Sequence, residues 1–254
     1  MLKPPDEDRW ATERPVGGET VVRMHEVIRT SSSAPAIVET RSGEFFVLKL
    51  AGGGAGPRGL LTEFLAAGIA KCVGLPVPAT RPLLMPKDFP WQIGTDEFDD
   101  MLQRSYGWNL GIALLPDAEP VKPDALGDLP ADFLTHLAFA DRLLQNVDRT
   151  AKNPNLLRNA QGIFAIDFGS CLYLNRIATR RTSFPFALPQ NHFLAGTPRS
   201  AASPLLGTAD VAATIKAVPH LIQACPAEWI AALPFERQEL EWRLIRYLEA
   251  FSVR

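Results

Sequence analysis

Three oxygen-bearing side chains near the middle of the chain have the types and spacing that phosphoryl transfer requires. Asp148 follows an apolar, periodic segment, Asn153 comes five residues later, and Asp167 stands directly before Phe168 and Gly169. Phosphoryl transfer needs a carboxylate that accepts the proton of the attacking hydroxyl and oxygen ligands that hold Mg²⁺ against the phosphates. The pattern therefore makes Asp148 the candidate base, and Asn153 and Asp167 the candidate metal ligands.

A lysine and a glutamate upstream complete this set. In protein kinases a strand lysine, paired with a glutamate on the following helix, orients the α- and β-phosphates. Lys49 ends the apolar run FFVLKL, close to the kinase pattern V-A-I-K, and Glu63 is expected in the first turn of the next helix. We therefore expect this pair to orient the α- and β-phosphates of the phosphate donor.

Each of these residues, taken singly, has an ordinary structural interpretation. Asp148 and Asn153 could be turn or cap residues, and Asp167 could end a strand. Lys49 could be an exposed lysine at a strand end, and Glu63 a solvated glutamate favoured by the helix dipole. Their combined order and spacing favour the kinase interpretation.

Four segments in this order resemble the HipA-like kinases, bacterial relatives of the protein-kinase fold. The segments are SSSAPAIVETRSGEFFVLKL, TEFLAAGIAKCVGLPVP, NVDRTAKNPNLL and AIDFGSCL, which cover roughly residues 20–175. The resemblance implies a two-lobed kinase that binds ATP and Mg²⁺ in the cleft between the lobes. We expect the phosphate acceptor to be a hydroxyl, with serine or threonine of a protein as the first choice.

The resemblance gives each candidate residue a role. It implies that Asp148 is the catalytic base, that Asn153 and Asp167 bind the metal, and that Lys49 and Glu63 form the pair that orients ATP. The nucleotide-covering loop of the family would correspond to the segment that contains Ser31, Ser32 and Ser33.

The chain also departs from the family pattern. Asp148-Arg149-Thr150 stands where family members often have D-x-H, and the loop RTSSSAP lacks G-x-G-x-x-G. The larger N-terminal region of the full-length toxin kinases is absent from this sequence, so neither toxin identity nor protein-substrate activity carries over from the resemblance. Arg149 is as consistent with a structural partner of an acid as with a substrate contact. A pseudokinase that binds nucleotide without transfer, and a lipid or small-molecule kinase, remain alternatives.

The elements that must position these residues follow from hydrophobic periodicity and turn signals. The first part of the chain is predicted to contain strands at 21–28, 36–40, 44–50 and 107–116, extended chain at 77–86, and helices at 60–74 and 95–104. Two short strands, at 155–158 and 163–167, are predicted to form a hairpin between the two candidate metal ligands.

The second part of the chain is predicted to be mainly helical. The proline-rich and acidic stretch 116–130 is expected to be a connector, and Phe133, Leu137, Ala140 and Leu144 form one apolar helical stripe after it. Residues 175–207 are predicted to be a loop, and helices are predicted at 208–217, 227–232 and 236–251. We therefore predict an α+β, two-lobed protein-kinase-like fold, with a β-rich N-lobe that has one main helix and a helical C-lobe. Its parts are a flexible segment 1–19, an N-lobe 20–116 and a C-lobe 117–254.

Composition and charge exclude several other classes. With 254 residues, 21% of them charged and a net charge of −2, the chain has no field that would attract nucleic acid. Three widely spaced cysteines give neither a disulfide framework nor metal-ligand spacing, and the scattered histidines are expected to be structural. No apolar run approaches the roughly 20 residues of a membrane span, so we expect a cytoplasmic protein.

One glycine pattern suggests a different class of nucleotide site. Residues 54–59 read GAGPRG, which matches the dinucleotide-binding G-x-G-x-x-G. However, no acid follows at the spacing that ribose binding needs, and Pro57 lacks a backbone N–H that could face a pyrophosphate. A Rossmann oxidoreductase is therefore disfavoured.

Overall fold

The computed structural model describes residues 14–28, 34–54, 56–90, 96–179, 186–197 and 208–252. These residues have the predicted α+β character, with strands dominating the first part of the chain and helices the second. They belong to two compact units. The first lies within Met1–Leu61, Thr80–Leu114 and Gln223–Leu233, and the second within Thr62–Ala79, Leu115–Ile222 and Pro234–Arg254. The lobe boundaries drawn from the sequence at residue 116 stay a prediction.

Five strands of the first unit close into a barrel. They are β1 (Glu19–Val27), β2 (Ala36–Thr40), β3 (Phe45–Lys49), β4 (Thr80–Met85) and β5 (Gly107–Ala113), in the order β1-β2-β3-β5-β4. All neighbours are antiparallel except β1 and β4, which pair in parallel. Buried side chains that alternate along the strands, such as Val38, Phe46 and Leu48, fill the interior. Lys49 is the last residue of β3 and pairs with Leu110 of β5.

The main helix of the N-terminal half, α1 (Gly56–Cys72), begins earlier than predicted. Pro57 lies in its first turn, where a missing N–H costs no intrahelical hydrogen bond, so the helix can include it. Glu63 is therefore in the helix interior, so its predicted first-turn position is wrong, and its exposure of only 3% also disagrees with the alternative of a solvated glutamate. The helix ends at Cys72, two residues before the predicted end at Gly74. Gly74 adopts φ 84°, the left-handed conformation that glycine commonly supplies just after a helix. A shorter helix, α2 (Asp96–Gln103), follows β4 as predicted.

The second unit is organised around α3 (Ala131–Leu144), and its predicted stripe is confirmed. Phe133, Leu137, Ala140 and Leu144 are all buried, and the buried surface also includes Asp141. Gln145 ends the helix in the left-handed conformation, at φ 57°, and its N–H donates to the carbonyl of Asp141.

The second unit also contains a small three-stranded sheet. It contains β6 (Glu119–Pro120), β7 (Leu156–Asn159) and β8 (Gly162–Ala165), and the β7–β8 hairpin is the predicted one. The prediction that 116–130 holds no element is wrong, since this stretch contributes β6 and a 3-10 helix (Pro123–Asp128). Proline suits both places, because an edge strand and a helix start can each do without an N–H.

Four further helices complete the described part of the chain. They are α4 (Tyr173–Ala178), α5 (Thr208–Gln223), α6 (Ala227–Ile230) and α7 (Arg237–Ser252). The loop predicted at 175–207 thus begins with part of α4, and α5 continues past the predicted end at 217 with Pro219 inside it. Among the described helices, none has the length and apolar character that crossing a membrane requires.

Candidate active site

Asp148 lies in the loop after α3, and two amide side chains hold its carboxylate. Its Oδ2 accepts hydrogen bonds from Asn153 Nδ2 at 3.0 Å and from Asn155 Nδ2 at 3.2 Å. Because a carboxylate can only accept, the amide nitrogens must face Asp148, and the Oδ1 of Asn153 points away from it. The structure thus brings the predicted pair together, and it adds Asn155, which sequence reasoning missed.

Backbone hydrogen bonds close the loop that carries these residues. The N–H of Thr150 lies 3.0 Å from the carbonyl of Asp148 and 3.1 Å from that of Asn153. In return, the N–H of Asn153 donates to Thr150 Oγ1 at 3.1 Å. The five-residue spacing is therefore the length of one closed turn, which presents Asp148 and Asn153 toward each other.

Arg149, between these two residues, is a structural partner of an acid. Its side chain has 0% exposure, and its Nε donates to Asp141 Oδ2 at 2.6 Å. The same Oδ2 lies 2.9 Å from His192 Nε2, and Asp141 Oδ1 accepts from Asn146 Nδ2 at 3.2 Å. Of the two interpretations that the sequence leaves open for Arg149, the burial supports the structural one.

The other end of the Arg149 guanidinium ties the loop to the strand before Asp167. Nη1 donates to the carbonyls of Pro154 and Asn155, each at 2.8 Å, and Nη2 to that of Ile166 at 3.4 Å. The guanidinium carbon also lies 5.2 Å from the ring centroid of buried Phe168, within the range of a cation–π contact. One arginine therefore links the loop that carries Asp148 to the start of the D-F-G sequence.

Asp167 has a backbone conformation that few residue types adopt readily. Its φ is 58°, in the left-handed region, which asparagine and aspartate tolerate better than most residues because their short side chains can bond locally. Such conformations persist where the surrounding structure imposes them, and they concentrate at functional sites.

Glu63 lies beside the D-F-G glycine. A Cβ atom added to Gly169 would be 3.4 Å from Glu63 Oε2 and 3.8 Å from Asp167 Oδ1, so both carboxylates flank this glycine. The hydroxyl of buried Tyr173 donates to the carbonyl of Thr62 at 3.0 Å, which fixes this part of α1 against the segment after Gly169. The second unit thus brings Glu63 to Asp167.

The Cys171 thiol lies within electrostatic reach of the same groups. Burial raises the pKa of Cys171 well above its ordinary value, and the carboxylate of Asp141 raises it further. Arg149 opposes this shift, whereas Glu63 and Asp167 add to it. Cys171 is therefore a neutral thiol, as expected for a structural cysteine.

The remaining predicted residues have separate locations. Lys49 belongs to the first unit, whereas Glu63, Asp148, Asn153 and Asp167 belong to the second. The segment that contains Ser31, Ser32 and Ser33 lies outside the described residues.

The donor set of this site suits a hard divalent cation that is shared with phosphates. Asn153 and Asp167 offer an amide and a carboxylate oxygen, and Mg²⁺ is commonly held by one or two such groups plus water and phosphate oxygens. Within the described ranges, no three His, Cys, Asp or Glu side chains cluster as an all-protein metal cage would require. The residues therefore fit Mg²⁺ bound together with a nucleotide.

Comparison with known proteins gives a family match over most of the chain. A family model described as HipA-like kinase matches residues 21–249. A search of curated proteins finds no match. Among solved structures, the Helicobacter pylori proinflammatory kinase CtkA is similar at 15% identity and a TM-score of 0.47, over 91% of this chain and 92% of that chain. A golgi casein kinase is similar at 10% identity and a TM-score of 0.39, over 97% of this chain and 76% of that chain.

Proposed function

The chain belongs to the HipA-like kinase family, and from this premise we propose that it transfers the γ-phosphate of ATP, with Mg²⁺, to a serine or threonine hydroxyl of a protein substrate. The observation that carries the proposal is the state of Asp148. Its half-buried carboxylate is held on one oxygen by two amide donors, in a loop closed by its own backbone. A carboxylate fixed in this way is organised to accept a proton.

Asp148 Oδ1 is the atom that we assign to proton transfer. Oδ2 already accepts from Asn153 and Asn155, so Oδ1 is the oxygen left for the hydroxyl of the substrate. The hydroxyl would donate its proton to Oδ1 while its oxygen attacks the γ-phosphorus, and the bond between the γ-phosphorus and the β–γ bridging oxygen would break to release ADP. The two hydrogen bonds from the asparagine side chains keep Oδ1 in one orientation, which lowers the entropy cost of reaching the reactive geometry.

The metal and the phosphates would be held by the remaining candidate residues. Asn153, through Oδ1, and Asp167 would hold Mg²⁺, and Lys49 would contact the α- and β-phosphates with Glu63 as its partner. When bound, Mg²⁺ neutralises charge on the phosphate oxygens and so stabilises the transferring group. The proximity of Glu63 and Asp167 around Gly169 supports assigning both to the same site.

The deciding experiment compares the wild-type protein with Asp148→Asn in a transfer assay. Each protein is incubated with Mg²⁺ and γ-labelled ATP, alone and with a cell lysate, and label is measured in protein, lipid and small-molecule fractions. Asparagine has the size of aspartate but cannot take up a proton, so we expect transfer to fall by about 100-fold or more. ATP binding should stay within about threefold, because the base does not hold the nucleotide. Asp88→Asn, at an exposed turn, is the matched control.

Each outcome of this assay has a separate meaning. Label on protein from wild type but not from Asp148→Asn supports the proposal in full. Equal transfer by both proteins removes Asp148 as the base, and label confined to lipid or small molecules replaces the protein substrate. ATP binding without any transfer would make the chain a nucleotide-binding pseudokinase.

A further inference from the structure

Beyond the residues that would touch ATP or substrate, we propose that Asp141 and His192 are positioning residues for the base. In this proposal His192 holds the Asp141 carboxylate in place, and Asp141 holds the loop on both sides of Asp148. The inference rests on the proposed function, since its target is the orientation of the proposed base.

The Asp141 carboxylate is bonded to residues before and after Asp148. Its Oδ1 accepts from Asn146 Nδ2 at 3.2 Å, and its Oδ2 from Arg149 Nε at 2.6 Å. Asn146 passes the connection on, because its Oδ1 accepts the backbone N–H of Asp148 at 3.2 Å. The side chains of Asp141, Arg149 and His192 all have 0% exposure, so water does not compete for these bonds.

Hydrogen bonds at both ring nitrogens fix the orientation of the His192 side chain. The backbone N–H of Leu194 donates to Nδ1 at 3.1 Å, so Nδ1 must be an acceptor. The proton is therefore on Nε2, which donates to Asp141 Oδ2 at 2.9 Å. A buried carboxylate that loses one hydrogen-bond donor still carries most of its desolvation cost. We therefore expect the Asp141 carboxylate to move toward another donor when the bond to His192 is lost.

The chain around His192 also follows the base loop along its backbone. Asn191 Nδ2 donates to the carbonyl of Val147 at 3.1 Å, and the N–H of Phe193 to that of Arg149 at 3.3 Å. Thr150 and His192 form an isolated β-bridge. Residues 191–193 thus brace the loop, and the His192–Asp141 bond is the buried connection between the two segments.

Two substitutions at His192 separate its two hydrogen bonds. The amide of glutamine reaches the place of Nε2, so His192→Gln can keep the bond to Asp141 while losing that of Leu194. The amide of asparagine reaches only the place of Nδ1, so His192→Asn can keep the Leu194 bond while losing that of Asp141. His220→Asn, at an exposed histidine of α5, is the control for the substitution itself.

The first readout is amide hydrogen exchange of residues 146–153 in the folded proteins, measured residue by residue. We expect His192→Asn to raise exchange at Asp148 and Thr150 by about tenfold or more, and His192→Gln and His220→Asn to change it by less than about threefold. The second readout is Mg²⁺-dependent ATP turnover. His192→Asn should lower kcat by about tenfold or more at a KM for ATP within about twofold of wild type, because nucleotide contacts are unchanged.

Failure of this proposal is distinguishable from failure of the proposed function. Wild-type protein without ATP turnover contradicts the kinase, yet the exchange pattern still tests the positioning of the loop. Unchanged exchange in His192→Asn, or a larger effect of His192→Gln, overturns the proposal. If His192→Asn does not fold, Asn146 provides a second variant, because it connects Asp141 to the N–H of Asp148. Asn146→Ala breaks this connection and should raise exchange at Asp148 by about tenfold, and no change there overturns the proposal.

Discussion

The two oxygens of Asp148 are not equivalent. Oδ2 accepts hydrogen bonds from two amides, and Oδ1 is the oxygen that we propose for the substrate hydroxyl. In the proposed function Asn153 would be both a donor to Asp148 and a ligand to Mg²⁺, so a shift of Asn153 toward the metal would also move the proposed base. Asn155 gives Asp148 a second support that is independent of the metal.

A glycine at position 155 tests this support. Asn155 has φ 49°, a conformation that glycine adopts without strain, so Asn155→Gly removes the amide and leaves the backbone in place. We expect kcat for ATP turnover to fall by about tenfold, with a change in unfolding free energy below about 1 kcal/mol.

Alanine at the same position is the matched variant. Asn155→Ala also removes the amide but strains the backbone, so it should lose the same activity and about 1 kcal/mol more stability. The measurements are steady-state kinetics and urea unfolding of both variants. Unchanged kcat in Asn155→Gly would show that Asn155 only stabilises the loop.

The metal assignment makes a separate prediction at Asp167. Asparagine tolerates the φ of 58° there as well as aspartate does, so Asp167→Asn should fold normally. The loss of one negative ligand should raise the Mg²⁺ concentration needed for half-maximal ATP binding by about tenfold. The measurement is ATP binding titrated with Mg²⁺ by calorimetry. An identical Mg²⁺ dependence in the variant and the wild type removes Asp167 from the metal site.

At the scale of the elements, two buried polar side chains fix the turn that follows Lys49 and β3. The N–H of Ala51 donates to Asn109 Oδ1 at 2.8 Å, and that of Gly52 to Ser105 Oγ at 2.9 Å. Asn109 and Ser105 are themselves buried, with 0% exposure. The turn therefore fixes the end of β3 and, with it, the position of Lys49.

Two neighbouring glycines of this turn differ in the space around them. A Cβ on Gly52 would overlap the carbonyl oxygen of Met101 and lie 2.8 Å from Ser105 Oγ. A Cβ on Gly53 would meet only a flexible side chain at close range, with Met101 Sδ at 2.7 Å. Gly52→Ala should therefore lower the unfolding free energy by about 3 kcal/mol, and Gly53→Ala by less than about 1 kcal/mol.

Urea unfolding monitored by circular dichroism measures this difference directly. The two variants make the same chemical change one residue apart, so a general effect of glycine replacement cancels. Equal losses of stability in the two variants would mean that the turn can move away from Met101.

Elements with strong periodic patterns could be predicted from the sequence, whereas the continuation of a helix through a proline could not. The β2–β3 hairpin and the stripe of α3 follow from alternation and from 3.6-residue spacing, which are local properties. Helix α5 continues through Pro219, because the neighbours Val218 and Ile222 are buried on its inner face. Burial can offset the roughly 3 kcal/mol that an interior proline costs, and the sequence alone does not show it.

At the scale of the whole molecule, the same limit applies to the candidate site. The contact between Asp148 and Asn153 could be predicted, because it depends on a short, fixed spacing, whereas the roles of Asp148, Asn153 and Asp167 stay a prediction. Asp141 and His192 could not, since they are 51 residues apart and His192 lies in a segment without a periodic pattern. The burial of Asp141 depends on tertiary packing, so the sequence of α3 alone does not show it.

Two buried weak acids of the second unit, the thiol of Cys171 and the phenol of Tyr247, make the unfolding free energy depend on pH in the alkaline range. Burial raises the pKa of both Cys171 and Tyr247, and Cys171 adds to the shift of Tyr247. The hydroxyl of Tyr247 also donates to the carbonyl of Leu143 at 2.6 Å, which requires its proton. The folded protein thus keeps both groups neutral above the ordinary values of 9.0 and 10.0, where the unfolded chain ionises.

The sign of the effect follows from this difference. A raised folded-state pKa gives stability that is complete below the unfolded pKa and is lost as the pH rises above it. The unfolding free energy should therefore be level near neutral pH and fall above about pH 9, by about 1.4 kcal/mol per pH unit for each group. Cys171→Ser removes the first of the two groups at nearly constant volume, so its unfolding free energy should fall less steeply between about pH 9 and 10. Urea unfolding at a series of pH values measures both slopes. The same slope in Cys171→Ser and wild type would contradict a neutral, buried thiol beside the candidate active site.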